Sequence, residues 1–149
     1  MADDAIASLS VQVLPDEIAK TISGSTSITP ASGDRWYYKL TSVTNSSTDL
    51  IDDSVKFIEY DATADNAGLT VNLSDKVKFL FIKNTSTSND VYIVADGGTA
   101  ASAAPDAMKI AAGHSFFVSL PNTTVTNLHA ITNTGSATCV VAALLEDVA

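Results

Sequence analysis

Short runs in which apolar and polar residues alternate are the dominant pattern along this chain. From Lys76, the run KVKFLFIKN places Val77, Phe79 and Phe81 on one face of an extended strand and Leu80 and Ile82 on the other. The runs DVYIVAD, HSFFVSLP and TCVVAALL are similarly short and rich in β-branched and aromatic residues. No segment sustains a period of 3.6 residues over the length of a typical helix. The pattern therefore predicts an all-β protein.

The first half of the chain continues this pattern. SLSVQVLP alternates apolar and polar positions and should end at Pro15, and four further candidate strands follow: ISGSTSITP, RWYYKLTSVTN, SVKFIEYDA and GLTVNLSD. About ten short antiparallel strands with turn signals between them predict a single-domain β-sandwich or jelly roll. We place this domain at residues 15–149 and assign residues 1–14 to an N-terminal arm or edge strand.

Two kinds of connection are predicted between the strands. VTNSSTDLI, IKNTSTSNDVYI and ITNTGSATCVV each contain an Asn followed by a Ser/Thr-rich turn, and we interpret all three as hairpins. The small-residue segment DGGTAASAAPDAMK, from Asp96 to Lys109, predicts a long exposed loop, because it holds few side chains large enough to bury.

Composition narrows the classes of partner. The chain has 149 residues, of which 46% are hydrophobic and 17% charged, and this balance is typical of a folded domain. The net charge is −9, with only 8 basic residues scattered among the acids, so we expect binding neither to nucleic acid nor to an anionic membrane surface. The acidic start MADDAIASLS is unlike a signal peptide, and we expect synthesis in the cytoplasm.

Few residues are candidates for catalysis or metal binding. His114 and His129 are the only histidines, and a zinc site built from them would need a third ligand from an aspartate. Ser115 follows His114 in GHSFF, but Phe117 occupies the position where a serine hydrolase requires glycine. Cys139 lies among apolar neighbours in ATCVVAALL, which predicts a buried core residue.

Acidic and aromatic clusters have structural interpretations too. The run DATADNAG from Asp61 to Gly68 departs from the calcium-binding loop pattern, and the pairs Asp3–Asp4 and Asp52–Asp53 are predicted surface groups. DGGT at Asp96 lacks the Gly-Lys-Ser/Thr of a phosphate loop. The rings of DRWYYKL favour core packing over a ligand platform, because alternation must bury some of them. We therefore predict no catalytic, metal or cofactor residue and a protein that is not an enzyme.

The second half of the chain contains the succession FIKNTSTSNDVYIVADGG, MKIAAGHSFFVSLP and LHAITNTGSATCVVAALLEDVA. In this succession the chain resembles small virion proteins of tailed bacteriophages, specifically those that decorate and stabilise the capsid. The resemblance implies a β-sandwich or jelly roll that forms a homo-oligomer, with a trimer favoured, on the outer surface of the virion. It also implies the major capsid protein as partner, with contacts expected from the arm Ala2 to Leu14.

Three alternatives stay open at this point. The first is a component of the tail or of a head fibre. The second is a carbohydrate-binding adhesion module that uses the rings at Trp36, Tyr37 and Tyr38. The third is a small hydrolase or metalloenzyme, which would depend on His114 or His129.

Overall fold

A computed structural model describes residues 5–13, 20–57 and 69–148, and this part of the chain is all-β, as predicted. It contains a single short 3-10 helix, Val125–Asn127, and no helix that could cross a membrane. The strands are β1 Ala5–Val13, β2 Lys20–Ile28, β3 Asp34–Thr44, β4 Thr48–Asp49, β5 Lys76–Asn84, β6 Val91–Val94, β7 Met108–Ile110, β8 Ser115–Thr124, β9 His129–Thr132 and β10 Ser136–Glu146.

The chain divides into two compact units, Met1–Ser32 and Gly33–Ala149. In the first unit, β1 and β2 pair as an antiparallel hairpin. In the second unit, β3-β10-β5-β8 form one antiparallel sheet, here called sheet I, and β4-β9-β6-β7 form another, sheet II. Numbered from β3, these orders read 1-8-3-6 and 2-7-4-5, which is the jelly-roll arrangement of eight strands.

The core lies between the two sheets. Leu80, Ile82 and Val141 of sheet I and Ile93 and Ala130 of sheet II are fully buried in one hydrophobic cluster. The register explains the clustering within sheet I, because Ile82 lies opposite Val141 and residues that lie opposite one another share a face. Cys139 belongs to the same cluster, as the sequence predicts.

A bulge in β5 corrects one detail of the expected pattern. Val77 was expected on the face of Phe79 and Phe81, but it is fully buried in the core with Leu80. The pairing of β5 with both of its neighbours shifts between Val77 and Phe79. A bulge inserts one unpaired residue into a strand, so the side chains on either side of it change faces.

The three Asn-containing turns are not hairpins, and this part of the prediction is wrong. They join β3 to β4, β5 to β6 and β9 to β10, and in each case the two strands belong to different sheets. Asn, Ser and Thr side chains satisfy backbone groups in any tight turn, whether or not the flanking strands pair. In this protein, turns rich in Asn, Ser and Thr therefore connect strands of different sheets.

Asn84 is the buried residue in the second of these turns. Its Nδ2 donates to the carbonyls of Asn89, at 2.8 Å, and Ile110, at 3.2 Å, and its Oδ1 accepts the Ser86 N–H at 3.0 Å. Its backbone N–H donates to His114 O at 3.0 Å. The fully buried amide thus joins the end of β5 to the segments that lead into β6 and β8.

The predictions for the remaining segments between the strands are confirmed only in part. The long loop is predicted from Asp96 to Lys109, but β7 begins at Met108. Residues 96–107 contain no strand and are mostly exposed, although Ala100 is buried and its N–H donates to Ser47 Oγ at 2.9 Å. The two strands predicted in SVKFIEYDA and GLTVNLSD reduce, among the residues described, to one isolated bridge between Lys56 and Thr70.

Replacing Asn84 by Ala should lower the free energy of unfolding by about 3 kcal/mol, because it leaves buried carbonyls and an N–H without partners. Urea unfolding monitored by circular dichroism would measure this loss. Asn45→Ala is the matched control: Asn45 occupies the equivalent turn between β3 and β4 but is exposed, so the change should be within about 0.5 kcal/mol. Equal effects of the two substitutions would contradict the role assigned to Asn84.

Candidate functional site

His114 lies in an exposed turn, where the sequence places it. Its N–H donates to Ala111 O at 3.0 Å, and its carbonyl accepts the Asn84 N–H. Gly113 has φ of 76°, the left-handed conformation that closes such a turn and that favours glycine. The backbone of His114 therefore links the end of β5 to the turn before β8, and its exposed imidazole lies directly before the first residue of β8.

His129 lies at the start of β9 and lines a shallow pocket of about 440 Å³. Its Nε2 is 3.3 Å from Asp49 Oδ1 on the neighbouring strand β4. Ser47, Thr48 and residues 97–99 complete the lining. The pocket thus presents hydroxyls, one carboxylate and one imidazole.

Among the residues that line this pocket, no hydroxyl is hydrogen-bonded to the imidazole. Thr48 Oγ1 and His129 Nδ1 are buried and have no hydrogen-bond partner, while Ser47 Oγ accepts the Ala100 N–H. The pairing of a nucleophile with its base, which is typical of hydrolases, is therefore not formed in this pocket. Within the described ranges, moreover, no three His, Cys, Asp or Glu side chains are grouped closely enough to hold a metal ion.

Cys139 is fully buried in the core. Burial raises the pKa of its thiol to about 11, since the low-polarity surroundings disfavour the thiolate. The thiol therefore stays protonated and unreactive at neutral pH.

Cys139 should resist maleimide labelling at pH 7 in the folded protein and should react fully once the chain is unfolded in guanidinium chloride. Mass spectrometry before and after denaturation counts the adducts. Rapid labelling of the native protein would contradict the burial described above.

Two of the acidic groups singled out from the sequence, Asp52 and Asp96, have hydrogen-bond partners within the fold. Asp52 accepts hydrogen bonds from Lys39 and from the side chain and N–H of Ser54, and these bonds lower its pKa to about 2. Asp96 Oδ1 accepts the Gly98 N–H at 2.8 Å. The run from Asp61 to Gly68 and the pair Asp3–Asp4 lie outside the described residues.

The lowered pKa of Asp52 predicts a dependence of stability on pH. The ionised carboxylate stabilises the folded state fully above its unfolded pKa, at about pH 4 to 5, and this contribution is lost as the pH falls through about 2. Asp52→Asn should cost at most about 1 kcal/mol at pH 7, because both partners are partly exposed, and much less at pH 2 and below. Urea unfolding across this range measures the difference, with the exposed Asp53→Asn as control. A cost that does not change with pH would contradict the assignment.

The outer face of sheet I, directed away from the core, is apolar as well. The register places Tyr38 opposite Ala142, Ala142 opposite Phe81, and Phe81 opposite Phe117, so one row of apolar side chains crosses all four strands. We call the whole set the aromatic face, and none of it belongs to the core cluster. Its members are Trp36, Tyr38, Leu40, Phe79, Phe81, Phe117, Val140, Ala142 and Leu144.

Exposure varies across the aromatic face. Tyr38 and Leu40 are 52% and 59% exposed, whereas Phe79 and Leu144 are buried. The rings of Phe79 and Phe117 lie against each other, with centroids 6.1 Å apart. Of the three rings in RWYY, Tyr37 is buried in the core, as alternation predicts, and its hydroxyl accepts the Asp52 N–H.

The hairpin of the first unit has one mainly apolar face and one mainly polar face. Ala5 lies opposite Ile28 and Leu9 opposite Gly24, which places apolar residues on one face, whereas Ser8 lies opposite Ser25 and Ser10 opposite Ser23 on the other. Leu9 and Ile22, both on the first face, are 54% and 57% exposed. Ile6 is the exception on the serine-rich face and is 76% exposed.

The sequence predicts both strands of the hairpin, in SLSVQVLP and ISGSTSITP, but not that they pair with each other. The aromatic face as a whole has no signal in the sequence, because it combines residues from four strands that are distant in sequence.

Comparison with protein-family profiles, with curated protein sequences and with solved structures found no match to this chain.

Proposed function

We propose that the protein is a non-enzymatic virion structural protein of a tailed bacteriophage. It binds the outer surface of the capsid as a homo-oligomer, with a trimer favoured, and stabilises the shell. The observation that carries this proposal is the hairpin, which leaves Leu9 and Ile22 more than half exposed on one apolar face.

Packing against a partner surface would stabilise the hairpin for a physical reason. A two-stranded ribbon is marginally stable in water on its own, since it cannot bury its apolar side chains against a third element. Packing its apolar face on a capsid subunit removes that face from water and holds the ribbon in place. The serine-rich face then remains in contact with solvent.

Symmetry multiplies this contact. Each copy of the chain contributes one hairpin, so a homo-oligomer attaches to several capsid subunits at once, and modest individual contacts add up to strong attachment. Because such a protein binds assembled shells in preference to separated subunits, it shifts the equilibrium towards the intact capsid.

Fold and charge are consistent with this role. Jelly rolls occur in viral capsid proteins, although the same fold also serves other functions. The net charge of −9 keeps free copies soluble before assembly. The polar pocket at His129 has no part in the proposal.

Leu9→Glu should weaken co-sedimentation with empty shells of the same phage's major capsid protein by at least about 10-fold, because it places a charge in the apolar contact. Ile6→Glu is the matched control. It adds the same charge to the same strand, but on the serine-rich face, and should bind like the unmodified protein.

Equal loss in both variants would contradict the assigned face, and failure of the unmodified protein to bind any such shell would overturn the capsid role. Electron microscopy of labelled virions separates decoration from a fibre: labelling over the whole shell supports the proposal, and labelling confined to the tail or to one vertex overturns it.

A further inference from the structure

We infer that the pocket at His129 binds an organic cation with several N–H donors, the chemistry of a guanidinium or an ammonium group. The inference does not depend on the proposed capsid role, in which the pocket takes no part. It rests on the position of the pocket, on the hydrogen-bonding groups that the fold leaves free in it, and on its charge.

The pocket lies at the edge of a sheet, where a ligand can reach it. Asp49 ends β4, the edge strand of sheet II, and lies opposite His129 of β9. Residues 97–99, in the loop after β6, complete the lining together with Ser47 and Thr48. The volume of about 440 Å³ falls within the range of small-ligand sites, which is roughly 300–1,000 Å³.

Two backbone N–H groups in the lining are already engaged within the fold. Gly97 N–H donates to Asn127 O at 3.2 Å, and Gly98 N–H donates to Asp96 Oδ1 at 2.8 Å. Successive N–H groups of a loop are what commonly binds an anion. Because these two are used and no Lys or Arg is found among the described lining residues, the pocket is poorly suited to an anionic ligand.

The acceptors of the pocket, in contrast, remain available. Oδ1 of Asp49 is 3.3 Å from His129 Nε2, and within the described residues no hydrogen bond or ion pair reaches its second oxygen, Oδ2. The Asp49 side chain is 57% exposed, so a ligand can approach this carboxylate. Ser47 Oγ accepts one N–H, from Ala100, and a hydroxyl oxygen has a second lone pair. A matching ligand therefore donates hydrogen bonds.

Charge favours a cationic donor over a neutral one. Asp49 is acidic, and Asp96 adds a second carboxylate directly before residues 97–99. The ion pairs of the described lysines are all formed with other acidic residues, so Asp49 has no lysine partner there. The net charge of −9 attracts cations to the molecule as a whole. Hydrogen bonds from a charged donor to a carboxylate are also stronger than those from a neutral donor.

A neutral ligand and a metal ion fit the pocket less well. Pockets for neutral ligands are lined mainly by apolar and aromatic side chains, whereas no Trp, Tyr or Phe belongs to the described lining. A metal ion needs at least three protein ligands. His129 and Asp49 are the only His, Cys, Asp or Glu side chains that line the pocket in the described part of the chain.

The test is an NMR titration of the isotopically labelled, full-length protein with Nα-acetyl-arginine methylamide at pH 7. The amide signals of residues 47–49 and 97–99 should shift and saturate, with a dissociation constant of about 1 mM. The citrulline analogue has nearly the same shape but no charge, and it should bind at least about 10-fold more weakly.

Asp49→Asn should raise the dissociation constant of the arginine compound at least about 10-fold, because it removes the charge and keeps the size of the side chain. Asp53→Asn is the matched control. It removes the same charge from an exposed aspartate outside the pocket and should change the dissociation constant by less than about 2-fold. Both side chains are exposed, so both variants should stay folded, which the NMR spectra check.

The absence of saturable shifts at the pocket residues, equal binding of the arginine and citrulline compounds, or equal effects of the two substitutions would overturn the inference. The shell assay separates two sources of the cation. Weaker co-sedimentation of Asp49→Asn identifies a basic side chain of the capsid subunit, and unchanged co-sedimentation identifies a free organic cation. Failure of the unmodified protein to bind shells would overturn the capsid role and leave this inference intact.

Discussion

Strand β10 carries apolar side chains on both of its faces, and sheet II packs against only one of them. Val141 and Ala143 fill the core against sheet II, while Val140, Ala142 and Leu144 point the other way. The neighbouring strands β3 and β5 continue the second apolar face with Trp36 and Phe81. Antiparallel sandwiches normally alternate an apolar inner face with a polar outer one. This departure leaves apolar side chains such as Tyr38 and Leu40 exposed on the outer face of sheet I.

The hairpin has the same property in a smaller element. Its two strands place most apolar residues on one face and most serines on the other, with Ile6 as the exception. Both units of the chain therefore have an apolar surface that the folded monomer leaves partly exposed. In contrast, two of the residues considered as candidates for chemistry have structural roles. Cys139 packs in the core, and Asp52 accepts hydrogen bonds from Lys39 and Ser54.

The buried amide of Asn84 shows how a polar residue can organise such a sandwich. Where the chain crosses from one sheet to the other, backbone N–H and C=O groups at the end of the sandwich have no hydrogen-bond partners on a neighbouring strand. Asn84 satisfies two carbonyls and one N–H at that end, and its own N–H reaches the turn at His114. The histidine that first suggests catalysis thus contributes to the fold through its backbone.

The sequence alone determined the all-β class, the approximate positions of most strands, the burial of Cys139 and the burial of some of the rings in RWYY, because alternation over a few residues is a local property. It could not determine which strands pair. Three turns of similar composition looked like hairpins, yet each connects different sheets, since turn chemistry is satisfied locally while pairing depends on distant strands. The displacement of Val77 into the core likewise required the bulge in β5. The aromatic face was decided only by the tertiary structure, because it exists where β3, β10, β5 and β8 lie side by side.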